Sequence, residues 1–265
     1  MHFVRLAFIA SLLLAAPAWS QFTPFVGQPG KDVIWVPTPY ALVEKMLDMA
    51  KVSSQDYVID LGSGDGRNVI AAAKRGARAL GVEWEKEMVD LSRRYAQEAG
   101  VAERARFVQG DMFEADISQA SVMALFLLPA NLEKLRDKFL ALRPGSRIVS
   151  NGYQIPGWQP DETEESKGDC GNWCTAYLYH VPTKASGRWR LGDAMLDIEQ
   201  KINVLDGTLA SRGHTTPIAE GRIRGFEVSF TAGGESYVGR VEGDTMRGTR
   251  GGAKQPWTAT RVPGG

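Results

Sequence analysis

Two textures divide the chain. From about residue 40 to 182, short apolar runs alternate with segments whose apolar residues recur every three or four positions. Beyond Asp193, apolar and polar residues alternate singly. In the first part, "YALVEKMLDMA" sets Leu42, Val43, Met46, Leu47 and Ala50 on one helical face behind Thr38 and Pro39. "YVIDL", "ARALGVE" and "ARFVQGD" are apolar strands ending at Asp60 and Leu61, at Glu83 and near Asp111. Between them, "RNVIAAAKRG" and "EKEMVDLSRRYAQEAG" have helical spacing, with Gly76 and Gly100 as stops. The second helix carries Met88, Leu91 and Tyr95 on one face. "SVMALFLL" suits a strand buried on both faces, "ANLEKLRDKFLALRPG" a helix and "SRIVSNGY" a fifth strand. "TAYLYHV" and "GRWRL" alternate as a last strand pair of the same sheet.

Strands and helices alternating at this spacing imply right-handed crossovers and an α/β, doubly wound, mostly parallel Rossmann-like sheet. The later segments, "MLDIEQKINVLDGTLAS", "IAEGRIRGFEVSF", "ESYVGRVEGDTMRGTR" and "PWTATRV", alternate around glycine-containing turns. They predict a small antiparallel β region, either barrel-like or an added sheet. The expected domains are 21–185, an α/β domain with an N-terminal arm, and 186–265, the antiparallel β domain or extension.

The first twenty residues have Arg5, an apolar run from Leu6 to Ala16, and small residues Ala18 and Ser20. That is the plan of a signal peptide, 1–20, and predicts a periplasmic or secreted protein. The run is short for a bilayer span, so no integral membrane segment is expected after cleavage. An uncleaved anchor, a hydrophobic N-terminal helix, or a cytoplasmic protein whose start is misassigned are the alternatives. Lys plus Arg and Asp plus Glu balance at 31 each, which removes the basic face that a nucleic-acid partner needs. The only two cysteines, Cys170 and Cys174, lie in "CGNWC". A disulfide is the simplest reading; two free thiols are another. Metal ligation with His180 lacks a fourth ligand at zinc-like spacing, so no metal site is expected.

"YVIDLGSGDGRNVI" carries the candidate chemistry. It lacks the Gly-Lys-Ser/Thr of a triphosphate loop. It puts Arg67 where a dinucleotide motif needs its third glycine, and Asp60 and Asp65 oppose a pyrophosphate. S-adenosylmethionine carries no phosphate but a sulfonium, an amino-acid end, a ribose diol and an adenine. Close glycines, Gly62 and Gly64 with Ser63 between them, let the backbone approach such a ligand. Asp60 suits its cationic end, Glu83 its ribose hydroxyls and Asp111 its adenine amine, with Met112 and Phe113 against the ring. Asp65 suits either the methionine amine or a helix cap.

"VIDLGSGDGR", "GVE" and "FVQGDMF" resemble the first motif and following acidic positions of class I, seven-strand methyltransferases. "VPTP", "LFLLPANLEKL" and "LRPGSRIVSNGYQIPGWQP" resemble a narrower group, the mitochondrial lysine methyltransferases of the ATP-synthase c-subunit and the adenine nucleotide translocator. The resemblance covers roughly residues 36–182. It implies a seven-strand sheet, S-adenosylmethionine as cofactor, and cofactor contacts at Asp60, Gly62, Gly64, Glu83 and Asp111. It also implies methyl transfer to a protein lysine, with the residues after strand four near the transferred methyl. The substrate-channel candidates are then Trp35, Thr38, Leu128, Pro129, Asn131, Asn151 and Tyr153, with Trp158 beside them; Asn131 equally suits a helix cap. The alternative is a non-catalytic exported binding protein that keeps the fold and uses its β region for a partner.

Overall fold

The computed structural model describes residues 22–167 and 170–263. The signal-like segment 1–20 lies outside the described residues.

Strands β1 (Tyr57–Leu61), β2 (Arg78–Glu83), β3 (Ala105–Gln109), β4 (Val122–Leu125), β5 (Arg147–Asn151), β6 (Glu162–Glu165) and β7 (Thr175–His180) form one sheet in the order β3-β2-β1-β4-β5-β7-β6. The pairs from β3 to β5 are parallel, and β7 is antiparallel to both its neighbours. The helices α1 (Tyr40–Met49), α2 (Arg67–Lys74), α3 (Lys86–Glu98) and α4 (Pro129–Leu140) supply the crossovers and covering layers. Leu42, Val43, Met46 and Leu47 of α1 bury the stripe their spacing predicts. In α3 the buried face is Met88, Val89, Leu91, Ser92 and Ala96. Tyr95 is instead 36% exposed, so it lies off the face on which its spacing placed it.

Two cores sandwich the sheet. One contains Leu42, Val58, Ala72, Val89 and Val149, the other Ile59, Met123, Leu135, Phe139 and Trp158. Trp158, a channel candidate, is buried and packs edge-on against Tyr179 at 5.4 Å; it belongs to this core, away from the glycine loop. The order of strands reverses between β1 and β4, so a crevice opens outside their carboxyl ends.

The second region corrects the expectation. It is a closed eight-strand barrel, not a small antiparallel patch. Strands β8 (Gly187–Leu191), β9 (Ala194–Lys201), β10 (Val204–Ser211), β11 (His214–Pro217), β12 (Ala219–Arg224), β13 (Glu227–Ala232), β14 (Glu235–Glu242), β15 (Thr245–Arg250) and β16 (Gln255–Arg261) pair antiparallel. The ring runs β8-β9-β10-β12-β13-β14-β15-β16 and back to β8, and β11 pairs outside it on β10. "GRWRL" is β8 of this barrel and not the partner of β7. Closure leaves no free edge in the ring. The interior is packed with Trp189, Leu196, Leu205, Ile223, Val241, Met246 and Ala259.

The barrel meets the sheet through its β9–β10 and β12–β13 turns. Thr183 N–H donates to the Gly225 carbonyl at 2.7 Å, and Asn203 Nδ2 donates to the Gln159 carbonyl at 2.7 Å. The Asp161 carboxylate joins both sides: it accepts from His180 N–H at 2.7 Å and lies 3.4 Å from Arg222. Among the described residues, no helix is long and apolar enough to cross a membrane.

Trp189 is fully buried where the barrel closes, and its indole N–H donates to the Ala185 carbonyl at 2.9 Å. Trp189→Ala is expected to cost about 3–5 kcal/mol of barrel stability, measured by urea unfolding.

Candidate active site

The glycine loop is shaped by its neighbour strand. Gly62 and Ser63 N–H groups both donate to the Val82 carbonyl, at 2.8 and 3.1 Å. That folds the chain back beside β2 and requires positive φ at Gly62, Gly64 and Gly66. A Cβ on Gly64 would lie 2.6 Å from the Trp35 indole nitrogen, and one on Gly66 2.6 Å from the Phe107 ring. These glycines are therefore fixed by packing as well as by backbone angle.

Glu83, at the end of β2, is held in one orientation. One carboxylate oxygen accepts from Gly64 N–H at 2.8 Å, and the other from Glu85 N–H at 3.0 Å. Each oxygen keeps a second lone pair for a further donor. Asp111 accepts from Phe113 N–H at 2.8 Å and pairs with Lys31 of the N-terminal arm. The Lys31 contact, then the Phe113 amide, hold its carboxyl below the usual range. Lys31 also sits 4.1 Å over the Trp84 ring. The arm is a short hairpin, tied by Gly27 N–H to the Trp35 carbonyl and Trp35 N–H to the Gln28 carbonyl.

Two cavities flank the loop. The first is lined by Glu83, Trp84, Asp111, Met112, Leu127 and the arm. The second is lined by Thr38, Asp60, Ser63, Asp65, Arg67 and Asn68. Trp35, Gly62 and Phe126 belong to both, so the two lobes adjoin there.

Asp60 is buried in the second lobe. Its carboxylate accepts from Asn68 Nδ2 at 3.0 Å. Burial pushes this carboxyl well above the usual range against that hydrogen bond, and Glu83 and Asp65 add to the rise. Asp65 is paired with Arg67 at 2.5 Å, and Arg67 Nη1 donates to the Thr38 carbonyl at 2.6 Å. Asp65 makes only a 3.4 Å contact to the Arg67 amide, so it holds the arginine side chain more than it caps the helix.

The remaining candidates separate. Leu128 is exposed and is the N-cap residue of α4, and Pro129 is its first residue. Asn131 makes no capping bond; it is buried, with Nδ2 unpartnered. Asn151 is fully buried, and its Nδ2 donates to Thr38 Oγ1 at 3.4 Å. Tyr153 is half-buried and packs against Phe126 and Trp173. Neither Phe126, Trp173, Asn68 nor Lys31 was marked by sequence pattern. Phe126 is hidden inside an apolar run, and Lys31 is eighty positions from its partner. Asn68, a polar residue opening an apolar helix, was the legible signal among them.

Cys170 and Cys174 form a disulfide, which settles the choice left among disulfide, thiols and metal.

A cofactor with a diol, an amine and a sulfonium fits this donor set. Among the described residues, Glu83 has acceptor capacity left, Asp60 is a buried carboxyl without a cationic partner, and Ser63 Oγ and Asn68 Oδ1 are buried and unpartnered. A phosphate would meet three carboxylates.

A parallel sheet with a glycine loop and acids at successive strand ends is the architecture of a class I S-adenosylmethionine-dependent methyltransferase. The comparisons agree. Residues 60–162 match the model of the ANTKMT methyltransferase domain. A protein-lysine N-methyltransferase of Saccharolobus islandicus is 44% identical over 153 residues, 56% of this chain and 94% of that protein. The mouse lysine N-methyltransferase of the ATP-synthase c-subunit is 35% identical over 53% of this chain and 58% of its own length. A solved structure described as an RNA methyltransferase from Salinibacter ruber, bound to S-adenosyl-L-homocysteine, is 44% identical with a TM-score of 0.53; it covers 56% of this chain and 95% of that one. The chain belongs to this family, the class I methyltransferases related to lysine N-methyltransferases, and S-adenosylmethionine is its cofactor. The non-catalytic alternative is thereby set aside. So is the expectation of a periplasmic or secreted protein. The named lysine methyltransferases this chain is similar to are cytoplasmic or mitochondrial-matrix proteins, not periplasmic or secreted ones.

A protein whose folded state keeps a proton on Asp60 that the unfolded chain has released loses stability as pH rises through that window. Asp60→Asn removes this penalty. In protein without cofactor, the variant's Tm is expected to exceed the wild type's, with the difference growing as pH rises above the ordinary carboxylate range; thermal melts at several pH values measure it.

Proposed function

We propose that the enzyme transfers a methyl group to the side-chain amine of a protein lysine, with the two-lobed cavity as its cofactor site. The observation that carries the cofactor placement is the set of carboxylates around one loop: Glu83 fixed by two backbone amides, Asp111 in the same lobe, Asp60 in the next. In this reading Glu83 accepts from the ribose hydroxyls, and Asp111 from the adenine amine beside Met112. Gly62, Ser63 and Gly64 give the backbone its close approach. Asp60 receives the amino-acid amine, with Asn68 orienting it and Asp65 fixing Arg67 behind the loop. Lys31 releases Asp111 as the adenine enters.

When bound, S-adenosylmethionine supplies a methyl group on a sulfonium. The chain's residues then position the attacking amine in line and exclude water. Trp35 and Phe126, which wall the point where the lobes adjoin, and Thr38 in the second lobe are placed for that exclusion. An unperturbed lysine has a pKa of about 10.4, so an apolar approach that disfavours the charged form raises the reactive fraction. Lysine as acceptor is supported by the relatives' named activities. RNA, the substrate class in the description of the Salinibacter protein, is disfavoured by a formal net charge of zero.

Calorimetric titration of S-adenosyl-L-homocysteine should show Glu83→Ala binding at least about tenfold more weakly, a loss near 1.4 kcal/mol. Asp60→Asn should also weaken binding while stabilising the free protein, which separates a ligand contact from a structural one. Tritiated S-adenosylmethionine incubated with total protein and total RNA tests the acceptor. Label recovered as methyl-lysine supports the proposal, and label confined to RNA overturns it.

A further inference from the structure

Three aromatic rings stand together beside the point where the two lobes adjoin. Phe126 walls both cavities. Trp173 packs on it at 5.2 Å between centroids, Tyr153 lies 5.4 Å from Trp173, and Tyr153 and Phe126 are 6.5 Å apart. All three are half-buried, so each keeps an open surface that a core ring would not have. Phe126 and Tyr153 follow the carboxyl ends of β4 and β5, where ligands reach such sheets. Trp173 comes from elsewhere, the loop before β7.

That loop is built to seat the ring. Cys170 and Cys174 close it with their disulfide. Trp173 N–H donates to the Cys170 carbonyl at 2.9 Å, and Ser166 N–H donates to the Cys174 carbonyl at 2.8 Å. The indole lies on Gly152, which has φ +69° and whose N–H donates to the Thr175 carbonyl at 2.8 Å. A Cβ there would stand 2.9 Å from the ring and 3.7 Å from Phe126. Glycine at 152 therefore answers both to its backbone angle and to the space the indole fills.

We infer that Trp173 is a specificity-determining residue that, with Phe126 and Tyr153, receives the alkyl-amine head of the acceptor, and that the Cys170–Cys174 bond positions it. The inference rests on the proposed lysine reading. Aromatic faces attract a cation on entry. The rings thus capture the ammonium head and pack the four-carbon stem behind it. An acceptor of equal shape without the amine gains the packing alone.

The test uses the full chain saturated with S-adenosyl-L-homocysteine and two probes, Nα-acetyl-lysine amide and Nα-acetyl-norleucine amide, titrated by ligand-observed NMR. Wild type is expected to bind the lysine probe at least about fivefold more tightly, a factor in the range of one cation–π contact. Trp173→Ala and Gly152→Ala should abolish that preference, Trp173→Phe should retain most of it, and the Cys170→Ser/Cys174→Ser double variant should reduce it. Affinity for S-adenosyl-L-homocysteine should stay within about twofold in all four, since no residue of the cofactor lobes is changed. Equal binding of the two probes by wild type would defeat the lysine reading itself. Discrimination that survives in Trp173→Ala would overturn this inference alone. Loss of S-adenosyl-L-homocysteine binding in Trp173→Ala would make the ring a structural prop and overturn it as well.

Discussion

The loop after β1 has its shape because β2 holds it: two of its amides donate to the Val82 carbonyl, and a third, from Gly64, donates to Glu83. The rest of the site follows from this tie. It sets the glycines at positive φ, points a carboxylate into the crevice with lone pairs to spare, and brings the loop under Trp35. It also fixes which small molecules are tolerated. A carboxylate spent on a backbone amide cannot move aside for a phosphate. The acidity of the site is thus a property of its fold, and the family's cofactor is the one whose hydrogen-bond donors and positive charge match it.

Asp60 shows the cost of that arrangement. A buried carboxyl beside two others resists ionisation, and Asn68 offsets only part of the burial. Sites that must hold charge on arrival of a ligand commonly carry such a deficit in the free protein. The arm offsets some of the strain at the other end, where Lys31 neutralises Asp111 from a position close to the Trp84 ring. The two ends of the crevice therefore differ. One is neutralised by the protein's own chain, while the other waits for an external cation.

How far the sequence carried the reading depends on whether a residue's role is local. The acids at Asp60, Glu83 and Asp111 were legible because each ends an apolar run, and a strand that stops at an acid marks the sheet's carboxyl edge. Gly62 and Gly64 were legible by spacing. Phe126 was not, because "SVMALFLL" is apolar throughout and gives no sign that the strand stops at Leu125. Trp173 and Lys31 reach the site across the chain, and no local period encodes that reach. Barrel closure failed for the same reason. Single alternation is identical in an open and a closed sheet, and the closing contact is the pairing of Arg190 with Thr260 and Trp189 with Arg261. "GRWRL" was assigned to the wrong sheet because alternation names a face and not a partner.

That closing pair also orders events during synthesis. The α/β sheet is complete once β7 has emerged, and its parallel core draws on segments already made. The barrel has no such early state: β8 leaves the ribosome first among its strands, and its edge stays open until β16 follows. Contacts of long sequence separation form late, and an unpaired strand edge is exposed to misassociation until they do. A methyltransferase domain that folds first beneath the growing chain offers the turns at Asn203 and Gly225 a surface to dock on. On this view the enzyme acts as the template on which its own appendage closes.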